Sequence, residues 1–335
     1  MSFTIPSNMK KIAEVQHKVE SKLLQTSNVV GVALGHKITK GIKLDQPSLS
    51  VLVSQKLPSS LLTKSEKIAS RIDGVVTDVV EIGELFAGDQ KTLSSNIDTN
   101  ISTLSSFTPS LTKKIRPAMG GFSIGHYKVT AGTIGSCCYD LVALPSTPNK
   151  FYILSNNHIL ANSNMSKLGD PILQPSIADG GSLQRDVIAR LARYIPIRFH
   201  SNKIIPINYI DAAIGEANLQ DINREIYWSG YIRRLYEAPK IDDIVEKTGR
   251  TTGFTTGKVT NINATVDVNY GSGRVARFAR QILTTSMSAP GDSGSIVLNR
   301  DEGAVGLLFA GSYTHSVINN ILYVQSLLKI RLTEI

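Results

Sequence analysis

The chain has 335 residues, 41% of them apolar and 19% charged, with a formal net charge of +9. That balance supports a sizeable buried core and excludes an intrinsically disordered chain, and the lack of any run of roughly 18 apolar residues excludes a membrane-spanning helix. The basic excess, to which Arg190, Arg193, Arg198 and Lys203 contribute, carries no nucleic-acid motif and reads as a solvated face.

A chain of this length is expected to hold two domains. Near its start, Lys10 and Lys11 follow only a few apolar residues, and no apolar run of signal-peptide length comes after them, so a cytoplasmic location is expected. Met9, Ile12, Val15 and Val19 recur at helical spacing and predict an amphipathic helix over 7–24. Strands are expected over 28–34, 49–53 and 75–82, with a helix over 60–68 between the last two. Residues 1–87 thus read as a small α+β N-terminal domain, a unit that offers a surface to a regulatory partner. Ser and Thr dominate 88–114, which reads as a linker.

From 115 to 335 the pattern changes to short β-rich runs such as FYILS, GSIVLN and AVGLLFAG, separated by glycine-containing turns. Closely spaced strands of this kind favour a sandwich or a pair of barrels over an alternating α/β sheet. At the end, Ile321, Val324, Leu327, Leu328 and Ile330 predict a terminal helix packed on the last strands. The tract from Gly249 to Gly257 lacks the spacing of a phosphate loop and reads as a β-hairpin.

Cys137 and Cys138 are adjacent, so they staple no distant segments and read as two small hydrophobes in a strand. His17, His36, His126, His200 and His315 share no metal-ligand spacing, and neither a metal nor a cofactor is expected. Asp170 and Asp179, in GDPILQPSIADGG, sit among turn residues and read as loop-forming.

Three other residues carry chemistry. A serine hydroxyl is a poor nucleophile at neutral pH, so acyl transfer needs a base within reach and donors for the developing oxyanion. In GDSGS, Gly291 permits a turn tight enough for its own N–H and that of Ser293 to face one point, and Gly294 avoids a side-chain clash. His158 follows the FYILS strand in SNNHILA. Asp211 stands inside the apolar run NYIDAAI, where an unpaired carboxylate is costly to bury. A neutral imidazole donating to that carboxylate satisfies the charge and leaves the second ring nitrogen free to accept the Ser293 proton. The chain order His158, Asp211, Ser293 differs from the subtilisin and α/β-hydrolase orders.

In SNNHILA, GDPILQP, DAAI, KTGRTTGFTTG, GDSGS and VGLLFAG, residues 116–335 resemble the trypsin-like serine proteases, and among them the bacterial and plant narrow-leaf-type group. The resemblance implies a mainly β protein with two six-stranded antiparallel barrels of chymotrypsin type. His158 and Asp211 would stand on the first barrel and Ser293 on the second. It implies a serine endopeptidase acting on protein or peptide substrates through an acyl-enzyme. A protease fold kept as a binding or regulatory module, and an ester-cleaving acyl hydrolase, are the alternatives. It also places Met287, six residues before Ser293, at the base of the specificity pocket, with Phe309, Ala310 and Gly311 as its wall and no acidic group to attract Lys or Arg. Secreted members of the class pair the residue equivalent to Asp292 with a newly freed amino terminus. This chain shows no Ile-Val-Gly-Gly junction, so Asp292 is expected to have another partner, ahead of maturation by a cut near the 88–114 linker or a switch supplied by the amino-terminal unit.

Overall fold

The computed structural model describes residues 4–88, 110–141 and 148–333. Most of the expected linker therefore lies outside the described residues. The fold is mainly β, with one helix near each end, and among the described residues no helix is long and apolar enough to cross a membrane.

The first helix, α1 (Lys10–Leu23), is built from strong helix formers without Gly or Pro. It buries Ile12, Val15 and Leu23 against the hairpin of β1 (Val29–Thr39) and β2 (Ile42–Val53). That hairpin turns at Lys40 and Gly41, both in the left-handed region that a two-residue turn requires. β3 (Val75–Glu81) pairs in parallel with β2, and β4 (Leu85–Phe86) follows it. No helix forms over 60–68. A 3-10 turn, Ser59–Leu61, stands there, and Leu61 faces solvent, so the segment lacks a buried apolar stripe to hold a helix.

The next stretch contains β5 (Ser123–His126), β6 (Gly132–Thr133), β7 (Ser136–Asp140), β8 (Phe151–Ser155), the single turn α2 (Asn157–Leu160), β9 (Pro171–Leu173), β10 (Val187–Tyr194) and β11 (Ala213–Ala217). Cys137 and Cys138 lie on β7 as buried free thiols, and burial pushes the Cys137 thiol up to about 12. They are packing residues there, as their adjacency suggests.

The last stretch contains β12 (Ile244–Gly249), β13 (Gly253–Asn269), β14 (Val275–Thr285), β15 (Ile296–Asn299), β16 (Gly303–Gly311) and β17 (His315–Asn320). Pairing runs β12–β13–β14–β17–β16–β15 and returns to β12, all antiparallel, which makes a ring of six strands. The helix α3 (Ile321–Leu328) is capped by the Asn320 side chain, which accepts from the Leu322 N–H. It ends at Lys329, whose left-handed conformation breaks the helix before the apolar pattern does. β18 (Ile330–Arg331) then pairs with β7, so the end of the chain joins the first group of strands. That group is a path of eight, β18–β7–β8–β11–β10–β9–β5–β6, rather than the six expected. One apolar cluster holds Leu154 and Ile214 from it together with Ile296, Leu307 and Val324, so the two groups share a core.

β1 also pairs with β13, so the sheet of the first 87 residues runs on into the six-stranded ring. A buried polar lock secures the join. The Gln16 amide donates to the Val32 carbonyl at 3.2 Å and the Asn263 carbonyl at 2.8 Å, while Asn263 Nδ2 donates to Gln16 Oε1 at 3.0 Å. Gln16→Ala strands these groups without water, and urea titration is expected to show a loss of about 2 kcal/mol.

Candidate active site

Local backbone requirements deliver His158 to the cleft. β8 ends at Ser155, and the two asparagines that follow are structural. Asn156 donates to the Asp211 carbonyl at 2.7 Å, and Asn157 donates to Asn164 Oδ1 at 2.8 Å and to the Ile195 carbonyl at 2.7 Å. With both side chains fixed, α2 presents the imidazole to the Asp211 carboxylate. Nδ1 stands 2.6 Å from Oδ2, and the His158 backbone N–H donates to Oδ1 at 3.1 Å. The remaining ring nitrogen, Nε2, is buried and without a partner among the described residues.

Asp211 is fully buried, so its charge needs every one of these donors. Asn319 holds its backbone, accepting from the Asp211 N–H at 3.1 Å. A further donor was not read from the sequence: the Tyr270 hydroxyl donates to Asp211 Oδ2 at 2.7 Å. Burial first, and then the carboxylate beside it, hold the Tyr270 phenol well above its usual value, so it remains a donor. Its ring also meets the His158 ring edge to face at 6.0 Å. In the sequence Tyr270 belongs to a glycine-rich turn, VNYGSG, which gives no hint of a buried partner.

The turn 290–294 is fixed by its carbonyls. Pro290 O accepts from Thr251 Oγ1 at 2.8 Å, Gly291 O from Thr133 Oγ1 at 2.8 Å, Asp292 O from Ser295 Oγ at 2.7 Å, and Ser293 O from the Thr133 N–H at 2.8 Å. The Gly291 and Ser293 N–H groups have no acceptor among the described residues, so both remain available as donors. Gly291 and Gly294 have φ of 98° and 100°, and a Cβ at Gly294 would meet Ser155 Oγ at 2.1 Å and Thr133 O at 2.2 Å. No side chain fits at Gly294. β6 thus ties both ends of the site together, because Thr133 holds the Ser293 turn and Gly132 packs on Ile159, next to His158.

Asp292 does have another partner. Its carboxylate, fully buried, forms an ion pair at 3.3 Å with the equally buried Lys247 ammonium, on β12. It also accepts from the Thr251, Thr252 and Ala289 N–H groups and from Thr252 Oγ1. Lys247 Nζ donates to Thr252 Oγ1 at 2.5 Å and to the Gly253 carbonyl at 3.1 Å. The tract from Gly249 to Gly257 is the expected hairpin, with Gly249 paired to Gly253, and its loop cradles the chain's own carboxylate. Burial pulls the Lys247 ammonium below its ordinary pKa, and Asp292 opposes that shift.

A cleft of about 1120 Å3 lies along His158, and a cavity of about 230 Å3 opens on Ser293. Ala310 and Gly311 line the smaller cavity, together with Leu308, Ala289 and Pro290. Met287 and Phe309, expected on the same pocket, are packed away from it. Met287 belongs to the apolar core beside Val259 and Leu308, and Phe309 packs on Phe278 at 4.8 Å. Side chains alternate across a strand, so Phe309 must face opposite to Ala310. Asp170 and Asp179 bond to none of His158, Asp211 and Ser293 among the described residues, although Asp179 holds the Arg250 side chain beside Gly291. Asp170 holds His126 at 3.1 Å, and Asp179 is bound by Arg250, Ser123 and Ser176.

Tyr270→Phe removes one donor from Asp211 and keeps the ring. Any turnover this site supports is expected to fall about tenfold in kcat/KM, the worth of one hydrogen bond to a charged group, with KM nearly unchanged.

The family model described as the NARROW LEAF 1 N-terminal domain matches residues 14–82. No curated protein matches the sequence. Among solved structures, Thermobifida fusca protease A is 16% identical, with 64% of this chain and 97% of that chain covered and a TM-score of 0.45. Cellulomonas bogoriensis chymotrypsin is 17% identical, with 65% and 98% covered and a TM-score of 0.43. Nocardiopsis protease is 17% identical, with 64% and 98% covered and a TM-score of 0.45. Likeness this distant assigns no residue a role.

Proposed function

We propose that the chain is a serine endopeptidase in which Ser293 is the nucleophile, His158 the general base and Asp211 the residue that orients it. The observation that carries this reading is His158 held twice by one buried carboxylate, through ring Nδ1 at 2.6 Å and through its backbone N–H at 3.1 Å, with Nε2 left unpartnered among the described residues. A buried aspartate spent in this way fixes the tautomer and leaves Nε2 as a proton acceptor. The Ser293 hydroxyl is not bonded to Nε2 in the free enzyme, and such contacts tighten when substrate binds.

The reaction then follows from the groups present. Ser293 Oγ attacks the peptide carbonyl as its proton passes to His158 Nε2, and the Gly291 and Ser293 N–H groups take the negative oxygen. Nε2 returns the proton to the leaving amine, and the C–N bond breaks to give the acyl-enzyme. Water repeats the sequence, losing its proton to Nε2 and releasing the acid with Ser293 restored. Among the described residues no charged side chain lines the cavity on Ser293, which supports medium apolar residues over Lys or Arg at the cut. The match of residues 14–82 to the narrow-leaf N-terminal model supports a place in the narrow-leaf-type protease group.

An internally quenched peptide library, run beside matched esters, tests the reading. Cleavage after apolar residues at rates above the Ser293→Ala background is expected. Ester turnover with no peptide turnover would instead make the chain an acyl hydrolase, and turnover of neither would leave a binding module.

A further inference from the structure

Residues 85–88 lie between the cleft on His158 and the cavity on Ser293. β4 pairs in parallel with β13, Leu85 beside Val268 and Phe86 beside Asn269, and Phe86 pairs antiparallel with Gly311 at the end of β16. The Ala87 N–H donates to the Asn269 carbonyl at 3.0 Å. Just upstream, the Ile82 carbonyl accepts from Ser312 Oγ at 2.5 Å and Thr314 Oγ1 at 3.1 Å. Phe86 and Gly88 line both the cleft on His158 and the cavity on Ser293, and a Cβ at Gly88 would come within 3.9 Å of His158 Cδ2.

An extended peptide binds a sheet by adding a strand to a free edge. At Ser293 the edge that could serve is Gly311, and Phe86 already holds it. We infer that residues 85–88 are a built-in occupant of the substrate groove, which excludes substrate until the segment withdraws. The inference rests on the hydrolase reading of the site. Gly88 distinguishes an occupant from a substrate: its φ of 87° turns the chain out of the extended course after Ala87. Tethering makes such a blocker effective even when weak, since a short link provides an effective concentration on the order of millimolar. An intrinsic dissociation constant of about 0.1 mM would then leave roughly a tenth of the molecules open.

Ala87→Pro tests this in the full-length chain by removing the N–H that bonds Asn269, and Phe86→Ala is the second variant should the first fail to fold. Labelling of Ser293 by a fluorophosphonate is expected to run about tenfold faster in either variant. The synthetic peptide of residues 81–88, added in trans, is expected to slow it again competitively. In the Ser293→Ala background the same peptide, carrying a fluorophore, should bind the Ala87→Pro chain about tenfold more tightly than the chain with Ala87, by anisotropy. Equal labelling rates and equal affinities in folded variants would overturn the inference, as would cleavage of the wild-type chain after Gly88. Because the anisotropy arm needs no chemistry, no labelling in any variant together with the expected binding change would reject the hydrolase and keep the occupied groove.

Discussion

Ser293→Ala is expected to lower kcat/KM on a sensitive peptide by about 10^4 to 10^6-fold, the range over which removal of a serine nucleophile acts. In the proposed mechanism the change deletes the atom that forms the acyl bond, and no other hydroxyl stands in the turn between Gly291 and Gly294 to replace it. Its structural cost is expected to be small. The Ser293 backbone, not its side chain, secures the turn, through the 2.8 Å bond from the Thr133 N–H. Thermal melting should therefore stay within about 2 °C of the wild type, as for a partly exposed side chain with no structural bond. Steady-state kinetics beside a melting curve checks both halves of the expectation.

Lys247→Met is expected to damage stability and turnover together. The methionine fills most of the lysine's volume but leaves Asp292 buried without a cation, a change that costs about 3–5 kcal/mol when one partner of a buried pair is removed. The Ala289, Thr251 and Thr252 donors remain, so the turn survives in distorted form, and the proposed Gly291 and Ser293 oxyanion donors shift with it. We expect kcat/KM to fall at least about 100-fold, the scale of losing an oxyanion donor. The pair also predicts a pH dependence. Because burial lowers the Lys247 pKa, the folded chain gives up this proton at a pH where the unfolded chain still holds it. Between the two values stability rises with pH, while the charge that pairs with Asp292 is lost and activity falls. Lys247→Arg, which keeps its charge through this range, should extend the alkaline limb of the activity profile.

Legibility in the sequence followed how local the physical cause was. The pairing of His158 with Asp211 was readable because each is a chemical anomaly in its own setting, a histidine at a strand end and a carboxylate in an apolar run, whereas Ser293 was singled out by the GDSG turn alone. Ala310 and Gly311 line the cavity on Ser293 and Phe309 does not, a difference that a run as uniformly apolar as VGLLFAG gives no alternation to read. Met287 failed for a related reason, since its burial against Val259 depends on the ring of strands and not on its distance from Ser293.

The need of Asp292 for a partner was legible, and its identity was not. Lys247 lies in the strand IVEKTG, and only the pairing of β12 with β15 brings that strand to the GDSG turn. Tyr270 reaches Asp211 from the far end of a hairpin in the other half of the fold. The helix expected over 60–68 rested on spacing alone, with no surface for it to cover. The continuity of β1 with β13 joins residues at opposite ends of the chain, and no local pattern announces it.

The most direct measurement of the central claim is the site of covalent capture by a fluorophosphonate, followed by peptide mapping. One adduct per chain on Ser293, absent in Ser293→Ala and strongly slowed in His158→Ala, is the expected result. An adduct on a different residue, or peptide hydrolysis that persists undiminished in Ser293→Ala, would contradict the account.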